Sequence, residues 1–204
     1  KESGAEPETG EAADDIVSGT GDISITADVL TLVGGNITSV GGALTLQPLS
    51  AAQSVGISGG GGTFSLTTAE IDLLSNGFGS ITIGKANSGA VTISAITFND
   101  PITILGAAMS VTALQAAANN ITLTSTSTID EAGDDTTVDI TTSGTLALTA
   151  QGAIGATGGS GPLDLTVGTL VATTDAGGIF LLESSALIIG GTGVQTTGAN
   201  AAIE

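Results

Sequence analysis

From Gly21 onward the chain repeats one short phrase, a turn residue followed by apolar residues at every second position. It is carried by GDISIT (21–26), GALTLQ (42–47), GTFSLT (62–67), GSITIG (79–84), GAVTIS (89–94) and PITILG (101–106). NITLTS (120–125), TVDITT (137–142), GTLALT (144–149), GPLDLT (161–166) and GGIFLL (177–182) continue it. A period of two puts the apolar side chains on one face of a strand and Thr or Ser on the other. Weaker versions, DVLTLV (28–33), NITSV (36–40), SVGIS (54–58) and AITF (95–98), fall between them.

The phrases return after roughly 10 or 17–21 residues, a spacing that fits strand, turn, strand and return to the starting wall. One coil of that size cannot bury its apolar face alone. Stacked coils bury it in ladders of Ile, Leu and Val. The expected fold is therefore all-β and elongated, a β-solenoid over residues 20–204 after an acidic polar lead-in at 1–19. At ~4.8 Å per coil, roughly eight to ten coils span on the order of 40–50 Å. An antiparallel β-sandwich is the alternative, since it also strings many short strands between turns. A sandwich fills its core with larger side chains, and here aromatic residues are only 2%, namely Phe64, Phe78, Phe98 and Phe180. With 32 glycines in the chain, helix is expected to reach no more than a turn, at Thr68–Leu74 or Leu114–Ala118.

Charge removes several function classes. Lys1 and Lys85 are the only cations against 20 acids, a net charge of −18. A phosphate backbone or an anionic membrane surface is repelled. No stretch is apolar and long enough to read as a membrane span. With no cysteine, disulfide and thiol chemistry are absent. The opening KESGAEPETGEAADD lacks the basic-then-apolar pattern of a leader, so the sequence reads as a mature or excised fragment.

Catalytic material is scarce. There is no His, Cys, Arg or Tyr, which leaves carboxylates and lysine for acid–base work. No paired carboxylates stand out on the strands for glycoside hydrolysis, so no enzyme and no catalytic residue is expected. Lys85, in GKANSG, reads as a solvated turn cation. The one candidate for a metal is IDEAGDDTTVD, with Asp130, Glu131, Asp134, Asp135 and Asp139 as calcium ligands. Calcium favours several hard oxygens on a flexible loop. The spacing departs from alternate-acid calcium loops, so a solvated acidic turn is the plainer reading and no cofactor is expected. ITLTSTST places Thr122, Thr124, Thr126 and Thr128 on one strand face. An ice-binding lattice needs a constant coil offset, which the varied returns do not supply, so these threonines read as solvent-facing strand residues. GGGG (59–62) is followed by no Lys-Ser/Thr and reads as a loose turn. Phe78, in NGFGS, is expected to plug the coil interior beside a bend.

Longer runs carry a resemblance. QPLSAAQSVGISGGGGTFSLTTAEIDLLSNGFGSITIGKANSGAVTISAITFNDPITILG (47–106) resembles the repeat units of large filamentous-haemagglutinin-like bacterial surface proteins. STIDEAGDDTTVDITTSGTLALTAQGAIGATGGSGPLDLTVGTLVATTDAGGIFLLESSALIIG (127–190) resembles the region that follows such units. The resemblance implies a right-handed parallel β-helix on a long exported rod, secreted or at the bacterial cell surface. Its implied role is the shaft of an adhesin facing a host or neighbouring-cell surface. The alternative is a subunit that self-associates end to end into an extracellular filament or biofilm matrix fibre. The carboxyl end, GGTGVQTTGANAAIE, contains no helix or charged plug to cover an open coil, so either a longer chain or another copy is expected there.

Overall fold

A computed structural model describes residues 15–133, 135–157, 161–198 and 201–204 of the protein. It opens with β1 (Ile16–Val17), β2 (Ile23–Thr26) and β3 (Ile37–Thr38), β3 lying one rung on from β1. Next come β4 (Ala43–Gln47), β5 (Val55–Ile57), β6 (Phe64–Leu66) and a single helical turn, α1 (Thr68–Ile71). β7 (Ser80–Gly84), β8 (Val91–Ile93) and β9 (Ile96–Thr97) make a plain three-walled coil. So do β10 (Ile102–Gly106), β11 (Met109–Val111) and β12 (Leu114–Gln115). β13 (Ile121–Ser125), β14 (Ile129–Glu131), β15 (Ile140–Ala150), β16 (Leu163–Thr174), β17 (Leu181–Glu183) and β18 (Ile188–Thr196) complete the chain.

The result is a parallel β-solenoid of about 8 turns. Every strand pair among the described residues is parallel, which excludes the antiparallel sandwich. The first wall runs β2-β4-β7-β10-β13-β15-β16 and closes on β18. Its inward ladder is Ile23–Leu44–Ile81–Ile102–Ile121–Leu146–Leu170–Ile189. The second wall runs Phe64–Val55–Val91–Met109–Ile129 and continues through single bridges at Ile154, Ile179 and Ile203. The third carries Ile96–Leu114–Ile140–Leu165. β15 and β16 each serve two walls, because the chain turns the corner at Thr142–Thr145 with only a register shift. Thin walls explain the composition: the interior is filled by one or two aliphatic side chains per wall and coil, such as Ile81 with Ile83 and Val91 with Ile93, and few rings fit.

The coils differ in length and the ladders do not slip. Leu44 and Ile81 are adjacent rungs although 37 residues separate them. The surplus is taken up by β5 and β6, which pair in parallel with Val55 opposite Phe64, and by α1, whose Thr67 and Glu70 form a reciprocal capping box. The loop between β5 and β6 is the GGGG segment, and it is packed rather than loose. A Cβ on Gly60 would overlap the Thr92 carbonyl oxygen, and one on Gly62 would overlap the Gly56 backbone nitrogen. Phe78 lies in the core at 3% exposure, beside Gly77, whose positive φ of 128° makes the bend.

Three further expectations meet the structure here. The expected helical turn forms at Thr68 but not at Leu114–Ala118, where Leu114–Gln115 is strand β12 between β9 and β15. Its apolar residue completes the third-wall ladder, and tertiary pairing overrides the local helical preference of Ala-rich sequence. Thr122 and Thr124 lie on the outer side of β13, while Thr126 and Thr128 fall beyond it. The outer column Ser24–Thr45–Thr82–Thr103–Thr122 is in strict register despite the unequal returns, but Ala147 and Val171 interrupt it. Of the acidic lead-in, residues 1–14 lie outside the described residues, and Ile16–Val17 is already a strand that pairs in parallel with β3, one coil further on.

Candidate functional site

The proposed calcium residues sit where β14 leaves the second wall and the chain crosses to β15. Asp130 is half-buried and Glu131 buried on β14. Asp134 lies outside the described residues. Glu131 Oε1 accepts the Asp135 N–H at 2.8 Å. Asp135 Oδ1 accepts the Thr137 N–H at 2.6 Å and its hydroxyl. Asp139, 2% exposed, accepts the Asp164 N–H on Oδ2 at 2.9 Å. Among the described residues no three acidic side chains converge into a group that could hold a metal ion. The carboxylates address backbone N–H groups instead.

Asp164 is a member of this cluster that the sequence reading missed. It lies 25 residues beyond Asp139, one coil further on, and only the stacking brings the two together. It stands between the inward Leu163 and Leu165 and is nevertheless buried. Burial first, and then the neighbouring Glu131, Asp164 and Asp135, raise the Asp139 carboxyl to about 7 against the pull of the Asp164 N–H. Burial and Asp135 also raise Asp164. Asp135 itself is held below the ordinary carboxylate range by the Thr137 hydroxyl and N–H.

The same use of acids recurs along the rod. Asp15 Oδ1 accepts Asn36 N–H at 2.6 Å, and Asp22 Oδ1 accepts Ala43 N–H at 2.8 Å. Asp28 takes Ser50 N–H at 2.6 Å and the Ser50 hydroxyl at 2.7 Å. Both Asp100 oxygens face Gly77 N–H, at 3.0 and 3.2 Å. Glu183 accepts Val167 N–H at 3.1 Å. Each of these bonds joins one coil to another at a corner, where the ladder leaves a donor without a carbonyl. In a chain with two cations, backbone dipoles take the place of ion pairs. Lys85 follows the same rule, since its Nζ donates to the Leu49 carbonyl at 2.7 Å.

Three broad recesses are open on the rod, one of about 370 Å³ on the middle coils beside Ile96 and Gln115 and two toward its ends. Of these two, one of about 470 Å³ runs between Leu30–Leu32 and the β6 edge at Ser65. The other, about 500 Å³ and mostly apolar, opens on the last coil at Leu187, Ile189, Val194 and Ile203. Exposed large apolar residues follow the same division. Among the described residues they are Ile16, Val17, Val29, Val33, Val40 and Leu49 near one end and Leu182, Leu187, Ile188, Ile189 and Ile203 at the other. The coils between 50 and 181 expose none.

No helix of the described residues is long and apolar enough to cross a membrane. Comparison with protein-family models, with curated proteins and with solved structures gives no match.

Proposed function

We propose that this chain is a shaft segment of an exported, cell-surface adhesin-like protein, a spacer that holds other parts of an assembly at a distance. The observation that carries the reading is the distribution of apolar exposure. Among the described residues the middle coils bury their ladders at 0–8% exposure, while large apolar side chains are uncovered only in the coils toward either end. Coils that bury their apolar faces against their neighbours make a stiff rod with a polar side, the form a spacer needs. Two observations accompany it. Asp100, Glu131, Asp135 and Asp139 on the middle coils accept backbone N–H groups, and residues 47–106 resemble filamentous-haemagglutinin-like repeats.

The location is tested on cells that make the protein. Antibodies raised against the outer Thr103–Thr122 surface are expected to label intact, unpermeabilised cells. Labelling only after permeabilisation contradicts the export reading. The spacer role is tested by small-angle scattering of the chain, which should give a rod about one coil wide and ~35–40 Å or more long; a compact sphere contradicts it.

A further inference from the structure

Asp139 and Asp164 stand on the outer side of the third wall, where Ala95 and Ala113 hold the two preceding rungs of the same column. Ala95 is exposed and Ala113 half-buried, yet Asp139 and Asp164 are only 2% and 7% exposed. At these rungs the crossing 132–138 joins β14 to β15. It leaves β14 beside Glu131, 7% exposed, and carries Asp135 within electrostatic reach of both aspartates. Ala132 N–H, at its start, is on the Val111 carbonyl, and Asp139 N–H, at its end, is on the Asp164 carbonyl. Between them the crossing is tied down by carboxylates: Asp135 N–H donates to Glu131 and Thr137 N–H to Asp135.

We infer that the crossing 132–138 is a pH-operated flap, closed over the third wall while Asp139 is protonated and lifted when it ionises. Three carboxyls from β14, β15 and β16 are buried side by side, and buried charges of one sign oppose one another strongly. No described cation offsets them, since Lys85 donates to the Leu49 carbonyl on another corner. β12 brings only Ala113 and Gln115 to the rung before. β17 brings Leu182 and Glu183 to the rung after, and Glu183 is engaged by the Val167 and Ser185 N–H groups. Asp130 lies on the outer side of β14, and Asp134, on the crossing itself, lies outside the described residues.

The closed crossing keeps the proton on Asp139 up to about 7, and the open one releases it at the ordinary 3.8. Opening therefore grows with pH by up to about tenfold per unit between about 4 and 7 and levels off above that. The core is not disturbed, because the ladder residues Ile140 and Leu165 face inward on either side of the aspartates. Lifting the crossing bares Asp139 and Asp164 and carries the recess beside Ile96 and Gln115 two rungs further along the third wall. The change is a local opening of one surface, not an unfolding of the rod.

The test follows hydrogen exchange of the 204-residue chain by mass spectrometry from about pH 5 to about pH 8, with a chelator present and rates corrected for the intrinsic pH dependence of amide exchange. Peptides covering 132–138 are expected to lose protection about tenfold or more between pH 5 and pH 7 and to change little from there to pH 8. Peptides covering β10 and β13 should keep theirs. Asp139→Asn leaves an oxygen for the Asp164 N–H and removes the charge, so its crossing should stay protected at pH 8. A second measurement leaves the acids untouched. Thr136 and Gln115 are exposed, and spin labels on a Thr136→Cys, Gln115→Cys protein read the flap as a distance, longer and broader at pH 8 than at pH 5. Unchanged protection across the range, an equal loss in every coil, the same pH response in Asp139→Asn, or one label distance at both pH values overturns the flap.

Discussion

Carboxylates on Asp15, Asp22, Asp28, Asp100, Asp139 and Glu183 each accept a backbone N–H from another coil. Such bonds are charge-assisted, and they explain how an acidic chain keeps its corners closed without cations. They also give the protein two opposed responses to pH. Asp28 is held below the ordinary carboxylate range by the Ser50 N–H and hydroxyl. Glu70 is raised by burial, but the Thr67 and Leu32 hydrogen bonds outweigh it and the net shift is downward. The stability these two supply is present at neutral pH and lost as pH falls through the carboxylate range. Asp139 works the other way. Its folded value of about 7 lies above the ordinary 3.8, so the stability tied to its neutral form is complete below 3.8 and is lost as pH rises from there to about 7. The melting temperature is therefore expected to pass through a maximum near the top of the carboxylate range, about pH 4–5, to fall from there to about pH 7, and to change little above it. Asp139→Asn keeps an oxygen for the Asp164 N–H and removes the charge. It should raise the melting temperature at about pH 7–8 and converge with the parent as pH falls toward about 4. A parent curve that climbs steadily from pH 5 to pH 8 contradicts this assignment.

At the scale of elements, the ladders explain which sequence signals carried through and which did not. The alternation in GSITIG, PITILG and NITLTS was sufficient to place Ile81, Ile102 and Ile121 on one inward column, because a period of two admits only one buried face. The coil boundary between Leu44 and Ile81 was not legible. Nothing local in GISGGGGTFSLT says that β5 and β6 lie side by side, and the tight backbone approach at Gly60 and Gly62 exists only once the coil is closed. The acidic cluster was half legible. IDEAGDDTTVD marked Asp139 as unusual, while Asp164 hides in a phrase whose alternation looks ordinary and is joined to it by stacking alone. Two substitutions test this level by chemical denaturation. Gly60→Ala should cost about 1–3 kcal/mol by overpacking against backbone. Gly61→Ala, whose Cβ would meet nothing within 4 Å, should change little. Equal effects at the two positions would mean that the loop is loose after all. Ile104→Ala, in the fully buried ladder Ile83–Ile104–Leu123, should cost about 2–5 kcal/mol in the same measurement.

For the whole molecule, the decisive property is that distance along the rod counts rungs, not residues. Thr45, Thr82, Thr103, Thr122, Ala147 and Val171 occupy successive rungs of one outer column, although the steps between them vary from 19 to 37 residues. Spin-label pairs anchored at Thr45, with the second label at Thr122, Ala147 or Val171, read this directly by pulsed electron resonance. The labels face solvent, so they leave the ladders intact. Successive coils of a parallel solenoid add ~4.8 Å each, so the three separations should rise in equal steps, near ~14, ~19 and ~24 Å. Separations that fail to increase from Thr122 to Ala147 to Val171 would contradict the stacked-coil account.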